Sequence, residues 1–243
     1  KGAIIDFTRA IELDSNYQGA YYNRGLLYFR TERPENALAD FSISITLNPR
    51  DFDSYVMRGQ VYIELKKTEL GVDDFTAAIK LKPDSREGYY SRAAAYTEMK
   101  FYDEALADYR KCIELDGADS ESYYLSGNLL RKTARNDEAL VCYEKAIELK
   151  GDYAEAYLAT GNIYRSRKSN GKALQYYDKA IKYNPELFEA YNNRGNIHLD
   201  NGIYTDAVDD FSTAIKLNND YAFAYNNRGY AYLLAGETEK AKS

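Results

Sequence analysis

Displaced by 34 residues, the 243-residue sequence aligns with itself from end to end without an insertion. A fixed period of this length means that one supersecondary unit is copied, each copy burying its apolar face against its neighbours. Numbered so that the first complete copy begins at Gln18, six complete copies occupy 18–51, 52–85, 86–119, 120–153, 154–187 and 188–221. Residues 1–17 read as the second half of a truncated copy and 222–243 as the first half of a truncated seventh, within one continuous domain.

Within the period two amphipathic helices are legible. Position four is tyrosine throughout, from Tyr21 to Tyr225, and position eight is Gly25, Gly59, Ala93, Gly127, Gly161, Gly195 and Gly229. Position eleven is tyrosine apart from Leu130 and His198. Spacings of three and four put these on one helical stripe. Position twenty is alanine from Ala3 to Ala241, with Gly71 the exception, and position twenty-four is Phe or Tyr in every copy. Position twenty-seven is small and position twenty-eight is isoleucine from Ile11 to Ile215, which predicts a second helix. Pro49, Pro83 and Pro185 at position thirty-two cannot extend that helix and mark the turn into the next copy.

A mid-helix glycine costs about 1 kcal/mol relative to alanine. Placed where two helices of a pair cross, it lets the backbones approach while neighbouring aromatics fill the flanks. Burying each large aromatic returns roughly 1.5 to 3 kcal/mol, which outweighs the cost. Position eight is therefore expected to be a contact point against position twenty.

The pattern of Tyr at four, Gly or Ala at eight, Tyr at eleven, Ala at twenty, an aromatic at twenty-four and Pro at thirty-two resembles the tetratricopeptide repeat over the whole chain. The resemblance implies an all-α fold, a right-handed α-solenoid of about seven antiparallel helix pairs whose first helices line a concave groove. Gly71, Leu130 and His198 depart from the pattern, as do Gly117, Gly151 and Asn219 where prolines would stand. These departures are expected to loosen single copies without threatening the fold.

In the resembled family, positions two, five, six, nine, twelve and thirteen face the groove. Here they supply Tyr22, Asn23, Met57, Tyr90 and Tyr124 toward the start of the chain. Toward its end they supply Asn128, Arg131, Asn162, Arg165, Asn192, Asn193, Asn196, Asn226 and Asn227. A file of asparagine amides can donate to and accept from the backbone of an extended peptide with little regard to its side chains. It is similar to the ladder lining the repeat array of the O-linked N-acetylglucosamine transferase. The plainer alternative is a set of solvated polar residues on an open face. Position two is acidic in Asp53, Glu87, Glu121, Glu155 and Glu189. The helix macrodipole favours carboxylates in a first turn whatever the function; an acidic rail preferring basic peptides is the other reading. The clamp by which some family members hold acidic chaperone tails needs lysine at positions five and two. No fifth position is lysine here and the second positions are mostly acids, so that function is not expected.

Composition narrows the classes. The net charge is −6 with a pI near 5.1, and no lysine- or arginine-rich run supplies the phosphate-neutralising surface that nucleic acid or anionic membrane requires. No apolar stretch approaches the length of a membrane span and no secretory signal layout is present, so a cytoplasmic setting is expected. Cys112 and Cys142 form no CxxC pair, His198 is the single histidine, and no phosphate-binding, metalloprotease or dinucleotide fingerprint occurs. The chain is thus read as a non-enzyme without cofactor or metal, a protein-interaction scaffold with a peptide groove. Two alternatives stand beside that reading: a substrate-recruiting arm of a larger enzyme, and an assembly unit that binds through its ends and convex face. Both ends stop within a repeat, so the sequence reads as an excerpt from a longer protein. Residues 1–13 of one molecule are expected to dock beside 222–236 of another, head to tail.

Overall fold

The computed structural model describes residues 2–236, which contain fourteen α-helices and no strand. Position-twenty residue Ala241 lies outside the described residues. The chain groups into two compact units, Lys1–Ser122 and Tyr123–Ser243. In the first unit, α1 (Gly2–Leu13) packs on α2 (Gln18–Arg30), which pairs with α3 (Pro34–Leu47). The pairs α4 (Phe52–Glu64) with α5 (Thr68–Leu81) and α6 (Arg86–Glu98) with α7 (Tyr102–Leu115) follow. The boundary falls early in α8 (Ser120–Lys132). In the second unit, α8 meets α9 (Asn136–Leu149), α10 (Ala154–Ser166) pairs with α11 (Asn170–Tyr183), and α12 (Phe188–Asp200) pairs with α13 (Tyr204–Leu217). Last comes α14 (Ala222–Leu234), packed on α13. The fold class is all-α, a repeat of helix hairpins.

The glycine of position eight meets the ring of position twenty-four. A Cβ built on Gly161 would stand 2.6 Å from Cε1 of Tyr177, and one on Gly127 2.5 Å from Cε1 of Tyr143. Gly59 stands in the same relation to Phe75, at 2.6 Å, and Gly195 to Phe211, at 2.9 Å. Those rings are fully buried, so the missing methyl is the space the aromatic occupies. Position twenty abuts the same spot: a Cβ on Gly71 would lie 3.0 Å from the Gly59 carbonyl oxygen and 2.8 Å from Cδ1 of Ile63. At Gly71 the Ile63 side chain occupies the room that an alanine methyl takes in the other copies. Leu130 is 2% exposed.

Each first helix stops in the same way. Position fifteen is left-handed at Glu32, Lys66, Lys100, Ala134 and Lys168, with φ between 56° and 65°, and at Gly202, with φ 76°. The next N–H then reaches back over the turn, Lys67 to the Tyr62 carbonyl at 2.8 Å and Arg135 to that of Leu130 at 2.8 Å. At the following helix start Asp51 accepts from the Ser54 N–H at 3.2 Å, while Pro34 opens α3 at a position that needs no N–H.

A polar tie runs beside the apolar one. Arg24, Arg58, Arg92 and Arg194 at position seven each grip an aspartate sixteen residues on, at 2.7–2.8 Å. These are two-pronged pairs: Arg58 Nε and Nη2 donate to the two oxygens of Asp74 at 2.8 and 2.7 Å. The third nitrogen reaches the preceding second helix, at Thr8, Ser42, Thr76 or Asp178. Three successive helices are thereby fixed in register. Ser126 and Thr160 replace the arginine in the two intervening copies, and the buried Ser126 hydroxyl has no hydrogen-bond partner.

Candidate functional site

First helices of successive pairs touch one another in each unit, α2 with α4 and α4 with α6 in one, α10 with α12 and α12 with α14 in the other. Groove positions on neighbouring copies are thus side by side within a unit, and the two units present different chemistry.

In the first unit a cavity of about 550 Å³ opens among Phe29, Ile63 and Phe75, with Ala94 beside it and Glu87 and Glu98 at its edge. Of the sequence candidates, Tyr90 lines it. Its hydroxyl donates to Glu121 Oε1 at 2.6 Å. Burial, and then that carboxylate, push the phenol well above its ordinary pKa. Tyr22 is half-buried against Phe41, with ring centroids 5.8 Å apart. Its pKa is raised by burial and by the negative charge of Asp53, Asp51 and Glu87. Met57 packs on the cluster around Phe41 and Val61, so it is half core, whereas Asn23 is exposed. The position-two carboxylates Asp53, Glu87 and Glu121 all lie exposed in first turns. This face is apolar at its floor and negative at its edge.

In the second unit five asparagines form a connected file. Asn226 donates to Asn227 Oδ1 at 3.4 Å, Asn227 to Asn192 Oδ1 at 3.1 Å, Asn192 to Asn193 Oδ1 at 3.3 Å, and Asn193 to Asn162 Oδ1 at 2.8 Å. Asn162 Oδ1 also accepts from the Tyr177 hydroxyl at 2.9 Å, and one copy earlier Asn128 Oδ1 accepts from Tyr143 at 2.8 Å. Arg131 and Arg165, three residues beyond those asparagines on their helices, sit beside the same two hydroxyls. Burial pushes both phenols up to about 12 against the pull of the guanidiniums, so they stay protonated donors. Tyr124 packs on Tyr143 and on Tyr153, with centroids 5.9 and 4.9 Å apart. Asn192 is 4% exposed and joins the file from beneath; Asn196 is half-buried and Asn226 exposed.

Of the remaining reactive groups, His198 lines a polar cavity of about 360 Å³ with Arg194, Asp206, Asp209 and Asp210, and its buried Nδ1 has no hydrogen-bond partner among the described residues. Cys112 is buried, with its thiol pushed up to about 11 by burial, and Cys142 is half-buried. His198 is half-buried with Nε2 3.8 Å from Asp210. Among the described residues no group of three or more His, Cys, Asp or Glu is placed to hold a metal ion. No described helix is long and apolar enough to cross a membrane. Sequence reading passed over the Arg and Asp of positions seven and twenty-three, although both are lost together at Ser126 with Cys142 and at Thr160 with Tyr176. That joint loss was the available signal.

Family models described as tetratricopeptide repeat match residues 19–51, 52–85 and 87–119, and models described as TPR repeat match 127–164, 161–202 and 195–236. No curated protein matches the sequence. Among solved structures, a tetratricopeptide repeat protein from Parabacteroides merdae superposes with a TM-score of 0.74 at 18% identity, over 92% of this chain and 89% of that one. Pseudomonas aeruginosa pilF gives a TM-score of 0.72 at 15% identity, over 86% and 95%. YrrB, described as a TPR protein with an unusual peptide-binding site, gives 0.64 at 26% identity, over 76% and 95%.

Proposed function

The chain belongs to the tetratricopeptide repeat family, and from that premise we propose that it is a protein-interaction scaffold whose first helices hold an extended segment of a partner polypeptide. The observation that carries this reading is the cavity of about 550 Å³ on the first-helix side of the first unit, with Phe29, Ile63 and Phe75 in its walls. A pocket of this size with an apolar floor has room for more than one bulky side chain of a bound peptide, and the exposed carboxylates Glu87 and Glu98 at its edge favour a basic residue beside them. The peptide-binding site named for YrrB supports the same use of the fold. Arms that recruit substrate for an enzyme encoded with them would use this same face.

The test is to fill the cavity. Ala94 is exposed at its edge, so Ala94→Trp adds bulk there without displacing core. Peptides selected from a random display library on the wild-type protein are expected to lose at least tenfold in affinity for the variant while its thermal melt is unchanged. Unchanged affinity in a folded variant would contradict the reading.

A second reading has its own observation. Ile5 and Leu13 on α1 are 66% and 71% exposed, and Phe223 and Leu233 on α14 are 70% and 53% exposed. These apolar groups support head-to-tail docking of α1 of one molecule beside α14 of another. Light scattering across a concentration series tests it: a mass that rises with concentration and falls back on Leu233→Lys agrees, and a constant monomer mass does not.

A further inference from the structure

In the second unit the amide file is polarised. Every acceptor oxygen in it is used internally except that of Asn226 at its outer end. The Asn162 oxygen has two donors, Asn193 and Tyr177, which fills both lone pairs. The direction is fixed by the tyrosines. A buried hydroxyl proton needs an acceptor, which a guanidinium cannot be, so Tyr143 and Tyr177 donate to the asparagine oxygens and each holds one inward. What remains for a ligand at Asn128 and Asn162 is the NH₂ group, and no protein acceptor engages either among the described residues. Arg131 and Arg165 add guanidinium donors one copy apart, each beside its tyrosine hydroxyl.

We infer that this face takes an extended acidic peptide, its backbone carbonyls on the amide NH₂ groups and two side-chain carboxylates on Arg131 and Arg165. The Tyr124 ring of α8 meets that of Tyr153, the residue that caps α10, with centroids 4.9 Å apart; helices packed side by side stand about 8–10 Å apart, which an extended chain spans in about three residues at 3.3–3.6 Å each. The recognised pattern is therefore a carboxylate at residue i and another at i+3. The first-turn acids of the two arginine-bearing helices, Glu121 and Glu155, lie ten residues before Arg131 and Arg165, about 15 Å along the axis at 1.5 Å per residue. That exceeds the screening length of about 8 Å at physiological salt, so they do not cancel the arginine pair. The second unit thus selects opposite charge to the first. This inference rests on the proposed groove but on none of the residues of the first unit's cavity.

The test measures fluorescence anisotropy with labelled ten-residue peptides of a Gly, Ser and Ala background carrying two Glu three residues apart, two Glu five apart, two Gln three apart, or two Lys three apart. The i, i+3 Glu peptide is expected to bind best, to weaken with salt, and to lose about tenfold for each of Arg131→Gln and Arg165→Gln, the scale of one charge-assisted hydrogen bond. Circular dichroism of the variants is expected to match the wild type, since Arg131 is exposed and Arg165 half-buried. Preference for the Lys peptide, or indifference to both substitutions in folded protein, overturns the inference. If all four peptides bind equally and Asn128→Ala with Asn162→Ala abolishes binding, the carboxylate selection fails and the groove stands. If none binds while Ala94→Trp also leaves library-selected peptides unaffected, both fall.

Discussion

At the scale of single residues, the hairpin depends on an absent methyl group. Gly161→Ala gains about 1 kcal/mol of helix propensity but drives Cβ to 2.6 Å from the Tyr177 ring, and overpacking of this kind costs about 1–3 kcal/mol. Chemical denaturation is expected to show a net loss of up to about 2 kcal/mol, and Gly161→Ala with Tyr177→Leu is expected to recover part of it. The contact was legible because six complete copies repeat glycine or alanine at position eight and an aromatic at twenty-four. The arginine–aspartate tie was equally present in the letters, yet a search for apolar stripes does not see a polar pair sixteen residues apart. Asn162 shows the limit on the other side. Its identity marks a groove position, but whether its oxygen or its NH₂ faces outward depends on Tyr177 and Asn193, which only three-dimensional placement brings to it.

At the scale of elements, helix lengths and order follow from the period, whereas the turns do not advertise themselves. Lysine, glutamate and alanine at position fifteen give no hint of a positive φ; only Gly202 and Gly236 announce the left-handed turn. Those side chains carry a conformational cost of about 1–2 kcal/mol that glycine avoids. Lys168→Gly is accordingly expected to stabilise the second unit by about 1 kcal/mol, read as a raised denaturation midpoint, after the entropy glycine adds to the unfolded chain is offset. The entry to α8 supplies a pH test. Burial alone would raise the pKa of Asp119, but the Arg86 guanidinium and the Ser122 hydroxyl and N–H hold it below the usual carboxylate value. With the folded value depressed, its stabilisation is complete above the ordinary aspartate pKa of about 3.9 and is lost as pH falls through the folded value. Asp119→Asn is expected to shallow the acid limb of the stability curve while lowering stability at neutral pH. An unchanged acid limb would dissociate Asp119 from acid unfolding.

At the scale of the whole molecule, one repeated hairpin carries two kinds of binding chemistry: an apolar cavity edged by carboxylates in the first unit, and donors anchored on buried tyrosines in the second. The division of residue types along the chain was visible in the sequence as aromatic early positions and asparagine-rich late ones. The cavity was not: position twelve was assigned to the groove without singling out Phe29 or Ile63, and their convergence on Phe75 depends on how α2, α4 and α6 stack. The central claim is that first-helix side chains hold the partner, and its most direct measurement is a random-peptide display selection on the wild-type protein, followed by affinity measurement on the triple variant Ala94→Trp, Arg131→Gln, Arg165→Gln. Loss of most selected peptides by a variant that melts like the wild type is the predicted result. Retention of the same peptides with unchanged affinity would contradict it.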